Sequence, residues 1–176
     1  MSSYLHLRSL LRMLLVSGCL AAGAAQADMY GDVSTLTRSG KTGEAITKAD
    51  QYLSTNPRDP QMRFLKGVAQ SQSGDLAAAT ETFTLLVQEY PELPEPYNNL
   101  AVIYAGQNQL DKARGALEMA VRNNPGYAIA HENLGDLYLR LAHDAYASSL
   151  KIQDGSRALR LKMSALAEML QPAAAP

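Results

Sequence analysis

The sequence predicts an all-α fold of stacked antiparallel helix pairs, and three observations predict it. Pro57, Pro91 and Pro125 stand 34 residues apart. Ala45, Ala79 and Ala113 stand twelve residues before them. Between the prolines, apolar residues recur three and four apart, which places them along one side of a 3.6-residue helix. A repeat of this length marks an array in which each unit buries its apolar face against its neighbours.

Other columns keep the same interval. Leu53, Val87 and Val121 precede each proline by four residues, and Ala49, Phe83 and Leu117 share a column. Val33, Gly67, Ala101 and Gly135 share another, as do Tyr104 with Tyr138 and Gly40 with Gly74. In the row Pro94–Tyr127, Tyr97, Leu100, Ala101 and Tyr104 make the stripe of a first helix, the small residue at 101 admitting a close neighbour. Gly106-Gln107-Asn108 is a polar break where the chain reverses. Ala113, Leu117, Ala120 and Val121 make the matching stripe of a second helix, and Pro125 ends it.

Composition agrees. With no Trp, two Phe and 47% hydrophobic residues, the core must be built mainly from Ala, Leu and Val. The single cysteine, Cys19, excludes a disulfide framework. Residues 1–27, MSSYLHLRSLLRMLLVSGCLAAGAAQA, read as a cleaved export signal. Arg8 and Arg12 give a positive start, a short apolar stretch follows, and Ala25-Gln26-Ala27 is a small-residue cleavage pattern. The apolar run is shorter than the ~20 residues that cross a bilayer. The expectation is an exported, periplasmic protein with no membrane span. The alternative is lipidation: Val16-Ser17-Gly18-Cys19 resembles a lipobox, which would make the protein an outer-membrane lipoprotein, although only six residues separate Arg12 from Cys19. Without residues 1–27 the chain carries 14 basic against 17 acidic residues, a net charge of −3. That balance offers nothing to nucleic acid.

The units divide at about 28–59, 60–93, 94–127 and 128–153. The fourth is irregular. Its second half arrives about five residues early, and no Gly or Pro lies between Leu137 and Asp154. Either a tight turn sits near His143-Asp144 or two helices have merged into one. After Asp154-Gly155, Ser156 is a candidate N-cap for a last helix over 156–170. Its stripe of Leu159, Met163, Leu166 and Leu170 would cover the end of the stack. Residues 172–176 are a tail.

These residues resemble the tetratricopeptide repeat: an aromatic, Leu, a small residue and Tyr, then Ala, a large apolar residue, Ala and Pro. Residues 62–91 match at Gly67, Gly74, Ala79, Phe83 and Pro91, and depart at Lys66, where Leu is expected, and at Gln70, where an aromatic is expected. The resemblance covers residues 28–171. It implies a right-handed solenoid of helix pairs with a C-terminal capping helix, acting by binding a protein or peptide segment in its concave groove. Carried over position by position, the groove residues are Gln61, Phe64, Val68 and Ser71; Glu95, Asn98, Val102 and Ala105; and Ile129, Glu132, Asp136 and Leu139. Asn99 and Asn133 take the position where an amide holds a ligand's backbone in some members. The chaperone-binding members' basic clamp for a terminal carboxylate is absent, since Ile129 and Asn133 stand in its place. From Gly67 through Asp111 there are six acids, Asp111 included, and no Lys or Arg, a stretch that would attract a basic partner segment or else only solvate the surface.

No catalytic constellation emerges. His131 and His143 would lie ~18 Å apart on one helix, too far to share a metal. Gly135 stands where HExxH needs its second histidine. Glu132, Asp136 and Arg140 follow one helical row and read as a surface charge ladder. There is no phosphate-binding glycine loop, and no base for a nucleophilic serine. The expectation is a non-enzymatic adaptor or assembly factor of the bacterial cell envelope, without cofactor or metal. The alternatives are a Cys19-anchored assembly factor of a pilus or secretion system, and a self-associating structural module.

Overall fold

The computed structural model describes residues 29–152 and 156–170. Among these residues there are eight helices and no strand: α1 (29–38), α2 (Thr42–Leu53), α3 (Pro60–Gln72), α4 (Leu76–Glu89), α5 (Pro94–Gly106), α6 (Leu110–Asn123), α7 (Ala128–Ile152) and α8 (Arg157–Met169). They fall into two compact units that divide between Thr82 and Phe83, inside α4.

The helix-to-helix turns show why the period is 34. Gly40 and Gly74 have φ of +77° and +86°, and Asn108, one period on, has φ of +56°. At each of the three, the next residue's amide reaches back five positions: Lys41 to Leu36, Asp75 to Gln70 and Gln109 to Tyr104, at 2.9, 3.0 and 2.8 Å. This closure satisfies carbonyls at the helix end, and it needs a residue that tolerates the left-handed region. Glycine does so without penalty, and asparagine does so better than other side chains. The next position in the column is Ala142. Alanine is the best helix former and a poor left-handed residue, and α7 runs through it without a break. The fourth unit is therefore one 25-residue helix, and His143 and Asp144 lie within it.

In the first unit, Val33, Ala45, Ala49, Tyr52, Met62 and Ala69 form the core. Tyr30 and Tyr52 both donate to Asp59 Oδ2, at 2.5 and 3.0 Å. Asp59 Oδ1 in turn accepts the Met62 amide as the N-cap of α3. Burial pushes the Asp59 carboxyl up, but the two hydroxyls and the backbone amides outweigh it and hold the carboxyl below its ordinary range. The bond to Asp59 first, then a contact with the Tyr52 hydroxyl at 3.2 Å and burial, raise the Tyr30 hydroxyl above its ordinary range. The two departures from the repeat pattern are paired polar substitutions. Lys66 reaches Asp50 of α2 at 2.6 Å, and buried Gln70 accepts from Thr82 of α4 at 2.8 Å.

In the second unit, Ala101, Ala113, Leu117, Ala120, Ala130 and Leu137 form the core, with Tyr97, Tyr104, Leu134 and Leu141 packed against it. Ala113 is fully buried, as are Ala45 and Ala79 in their own helices. Pro94 opens α5, where a missing amide proton costs nothing, and Asn123 of α6 ties the preceding loop by donating to the Pro91 carbonyl at 2.6 Å. Ser156 caps α8 by accepting the Leu159 amide. α8 packs on α7, and Leu159, Met163, Leu166 and Leu170 are half-buried. Gly135 differs from the column it shares with Ala101. It is exposed, and an added Cβ would meet nothing within 4 Å.

Candidate functional site

The second unit contains a cleft of about 230 Å³. α5 contributes Ala101, Val102, Ala105 and Gly106, α6 contributes Leu117, and α7 contributes Asn133, Asp136, Leu137 and Arg140. The alanines and leucines are apolar lining, and the amide, carboxylate and guanidinium all come from α7.

Two hydrogen bonds set the register of its walls. Asn133 Nδ2 donates to Asn98 Oδ1 at 2.8 Å, and Arg140 Nη1 donates to the Ala105 carbonyl at 3.0 Å. Each bond spans 35 residues, and the second lies seven residues, or two helical turns, further along both helices. α5 and α7 therefore run side by side in the same direction, offset by one repeat. The Arg140 bond places a cation at the C-terminal carbonyls of α5, where the helix dipole favours it.

The predicted site residues occupy several environments. Val102, Ala105, Asn133 and Asp136 line the cleft. Asn98 is only 6% exposed and acts by holding Asn133. Asn99 is half-buried and spends an amide proton on the Glu95 carbonyl of its own helix. Glu95, Ile129 and Glu132 are exposed and Leu139 is half-buried. Burial first, and the Glu95 charge second, raise the Tyr127 hydroxyl. Gln61, Phe64, Val68 and Ser71 lie on α3 of the first unit, Gln61 exposed and the others half-buried, and none of them lines this cleft.

Arg140 was missed by reading along one helix. The spacing with Glu132 and Asp136 suggests a surface ladder, yet Arg140 is half-buried and bonded to the neighbouring helix. The signal for it lies one repeat upstream, at the C-terminal end of α5. His131 also has a local partner, its Nε2 standing 3.0 Å from the Pro125 carbonyl. Among the described residues, no three His, Cys, Asp or Glu side chains gather as a metal site.

Two sequence profiles described as tetratricopeptide repeat match residues 33–94 and 72–137. The chloroplastic tetratricopeptide repeat domain-containing protein PYG7 of Arabidopsis thaliana is 35% identical over 85 residues, which is 46% of this chain and 28% of that protein. The chain thus matches under a third of that relative's length. The first TPR of Spaghetti (RPAP3) bound to an HSP90 peptide aligns with a TM-score of 0.60 at 18% identity, covering 66% of this chain and 92% of that one. The Yersinia enterocolitica type III secretion chaperone SycD, in complex with a peptide of the translocator YopD, aligns with a TM-score of 0.59 at 14% identity, covering 66% and 94%. At these identities the two solved structures share the fold.

Proposed function

We propose, from the premise that this chain belongs to the tetratricopeptide repeat family, that it is a non-enzymatic adaptor or assembly factor of the bacterial cell envelope. It works by reversible docking of a partner's segment along the first helices of its repeats. The observation that carries this reading is the α5–α7 cleft, which is apolar at its base and polar along α7. At about 230 Å³ it is smaller than the ~300–1,000 Å³ typical of small-molecule and cofactor sites. It suits one or two side chains of a segment that continues beyond it.

The division of labour follows from the chemistry of the walls. Val102 and the Ala101–Leu117–Leu137 base remove apolar side chains from water, which supplies affinity. Asn133, steadied by Asn98, presents an amide to the segment's backbone. Asp136 favours a basic or amide-bearing side chain, and exposed Glu95 and Glu132 extend that preference. Peptides are present in both of the solved relatives described above, which supports this mode. The envelope setting rests on the leader-like residues 1–27. Among the described residues, no helix is long and apolar enough to cross a membrane.

The test is capture from an envelope extract by the tagged chain and by a Val102→Asp/Asp136→Lys variant. Both positions are exposed, so the variant should retain its helical circular dichroism. Binding lost with the helix signal intact is the expected result. Equal capture by both proteins would remove the cleft from the mechanism.

A further inference from the structure

The last helix carries a second apolar face. Leu159, Met163, Leu166 and Leu170 turn inward, whereas Ala158, Leu161, Ala165 and Met169 recur at three- and four-residue spacings on a face open to solvent. Leu161 is 63% exposed and Met169 66% exposed. A helix needed only to close an array would carry polar residues here. This one carries apolar residues among exposed Arg157, Arg160 and Lys162, with Glu168 the sole acid of α8. Lys162 reaches across to α7 and lies over the Tyr146 ring, 5.3 Å from its centroid.

The α5–α7 cleft is the chemical complement of that face. Its apolar base accepts a protruding aliphatic side chain, Val102 is 54% and Ile129 55% exposed, and Glu95, Glu132 and Asp136 are exposed acids on the same two helices. Arg140, the one cation among the described residues that line the cleft, is committed to the Ala105 carbonyl. A basic amphipathic helix is thus the occupant that the walls select, and this chain contains one.

We propose that the cleft receives the outward face of α8 from a second copy of this chain, with Leu161 entering the apolar base and Arg157 meeting the acids beside it. The proposal rests on the reading of the cleft as a docking groove and names an occupant for it. The contact is heterologous, joining two different surfaces, so one defect on each surface should complement in a mixture.

The experiment uses two full-length variants whose changes lie at exposed positions: Val102→Asp/Asp136→Lys in the cleft and Leu161→Asp/Arg157→Glu on α8. Light scattering coupled to size exclusion is expected to show the parent chain associating with concentration, each variant alone monomeric, and an equimolar mixture forming a one-to-one pair through the two intact surfaces. Raising salt should weaken the parent's association roughly tenfold, as a few exposed ion pairs imply. As a second arm, Asp136→Lys combined with Arg157→Glu should restore association that either charge change alone reduces. A parent that stays monomeric at every concentration overturns the inference. So does a mixture that fails to pair while both variants keep the parent's melting temperature. If the monomeric parent still captures an envelope protein that the cleft variant loses, the docking reading survives without self-association.

Discussion

At position 108 an asparagine does the work that glycine does at 40 and 74, and the three residues show how single positions set the repeat. Each holds a left-handed turn closed by the same backward hydrogen bond. Gly74→Ala should therefore lower stability by about 1–2 kcal/mol, the strain of an ordinary side chain in that region. Gly115 sits within α6, exposed, with open space where a Cβ would go and no positive φ. Gly115→Ala should raise stability by about 0.5–1 kcal/mol. Urea melts of the two variants give opposite signs if the turn geometry is right. Asp59 supplies a pH signature at the same scale. Its folded carboxyl titrates below its unfolded value, so its contribution is present above about pH 4 and drains away as pH falls further through the depressed folded value. Tyr30 has the reverse sense: its raised hydroxyl costs stability as pH climbs past about 10. In denaturant melts across pH, Asp59→Asn should flatten the acid limb and leave the neutral region flat but lower.

Helices pair where small residues let them, and α7 is the helix that does not turn back. Ala142 occupies the turn column and continues the helix. Ala142→Gly should cost about 1 kcal/mol, and Ala142→Pro about 3 kcal/mol or more, because the helix interior is where these residues are least tolerated. Hydrogen exchange should localise the loss to α7 and to α8, which packs on it. If the glycine variant were as stable as the parent, α7 would not be continuous through 142. Ala113 tests the pairing of α5 with α6. It is fully buried in the second unit's core, so Ala113→Asp places an unpaired charge there, at a cost of several kcal/mol. The variant should lose its cooperative thermal transition, and parent-like melting would contradict the packing of α6 described here.

At the scale of the whole molecule, the described residues fall into two compact units. In the second unit, the open cleft lies between first helices and the core between helix pairs. Function belongs to this scale because a partner segment must span helices that are far apart in sequence. The envelope reading makes a measurable prediction: mass spectrometry of the protein recovered from cells should give a mature N-terminus at Asp28. A diacylated Cys19 would instead place the protein on a membrane and favour the lipid-anchored alternative. Neither outcome alters the cleft, so localisation and binding are tested separately.

The periodic prolines, the buried alanines at 45, 79 and 113, and the Ser156 N-cap act within a turn or two of the chain, and all were legible in the amino-acid order; the Asp59 cap of α3 was not. So were the helix pairs, since a stripe of apolar residues and a turn residue are local signals that recur. Four of the candidate groove residues, Val102, Ala105, Asn133 and Asp136, also line the cleft, because repeat position specifies which side of a first helix they take. Two things depended on the tertiary structure. Asn98 holding Asn133, and Arg140 closing the end of α5, are contacts between residues 35 apart, so they exist only once α5 and α7 lie in register. The fate of the fourth unit was the other, since breaking or merging a helix differs by little more than the cost of one left-handed residue. The sequence by itself determined which faces are apolar. Packing decided which polar groups on those faces are already spent and which remain for a partner.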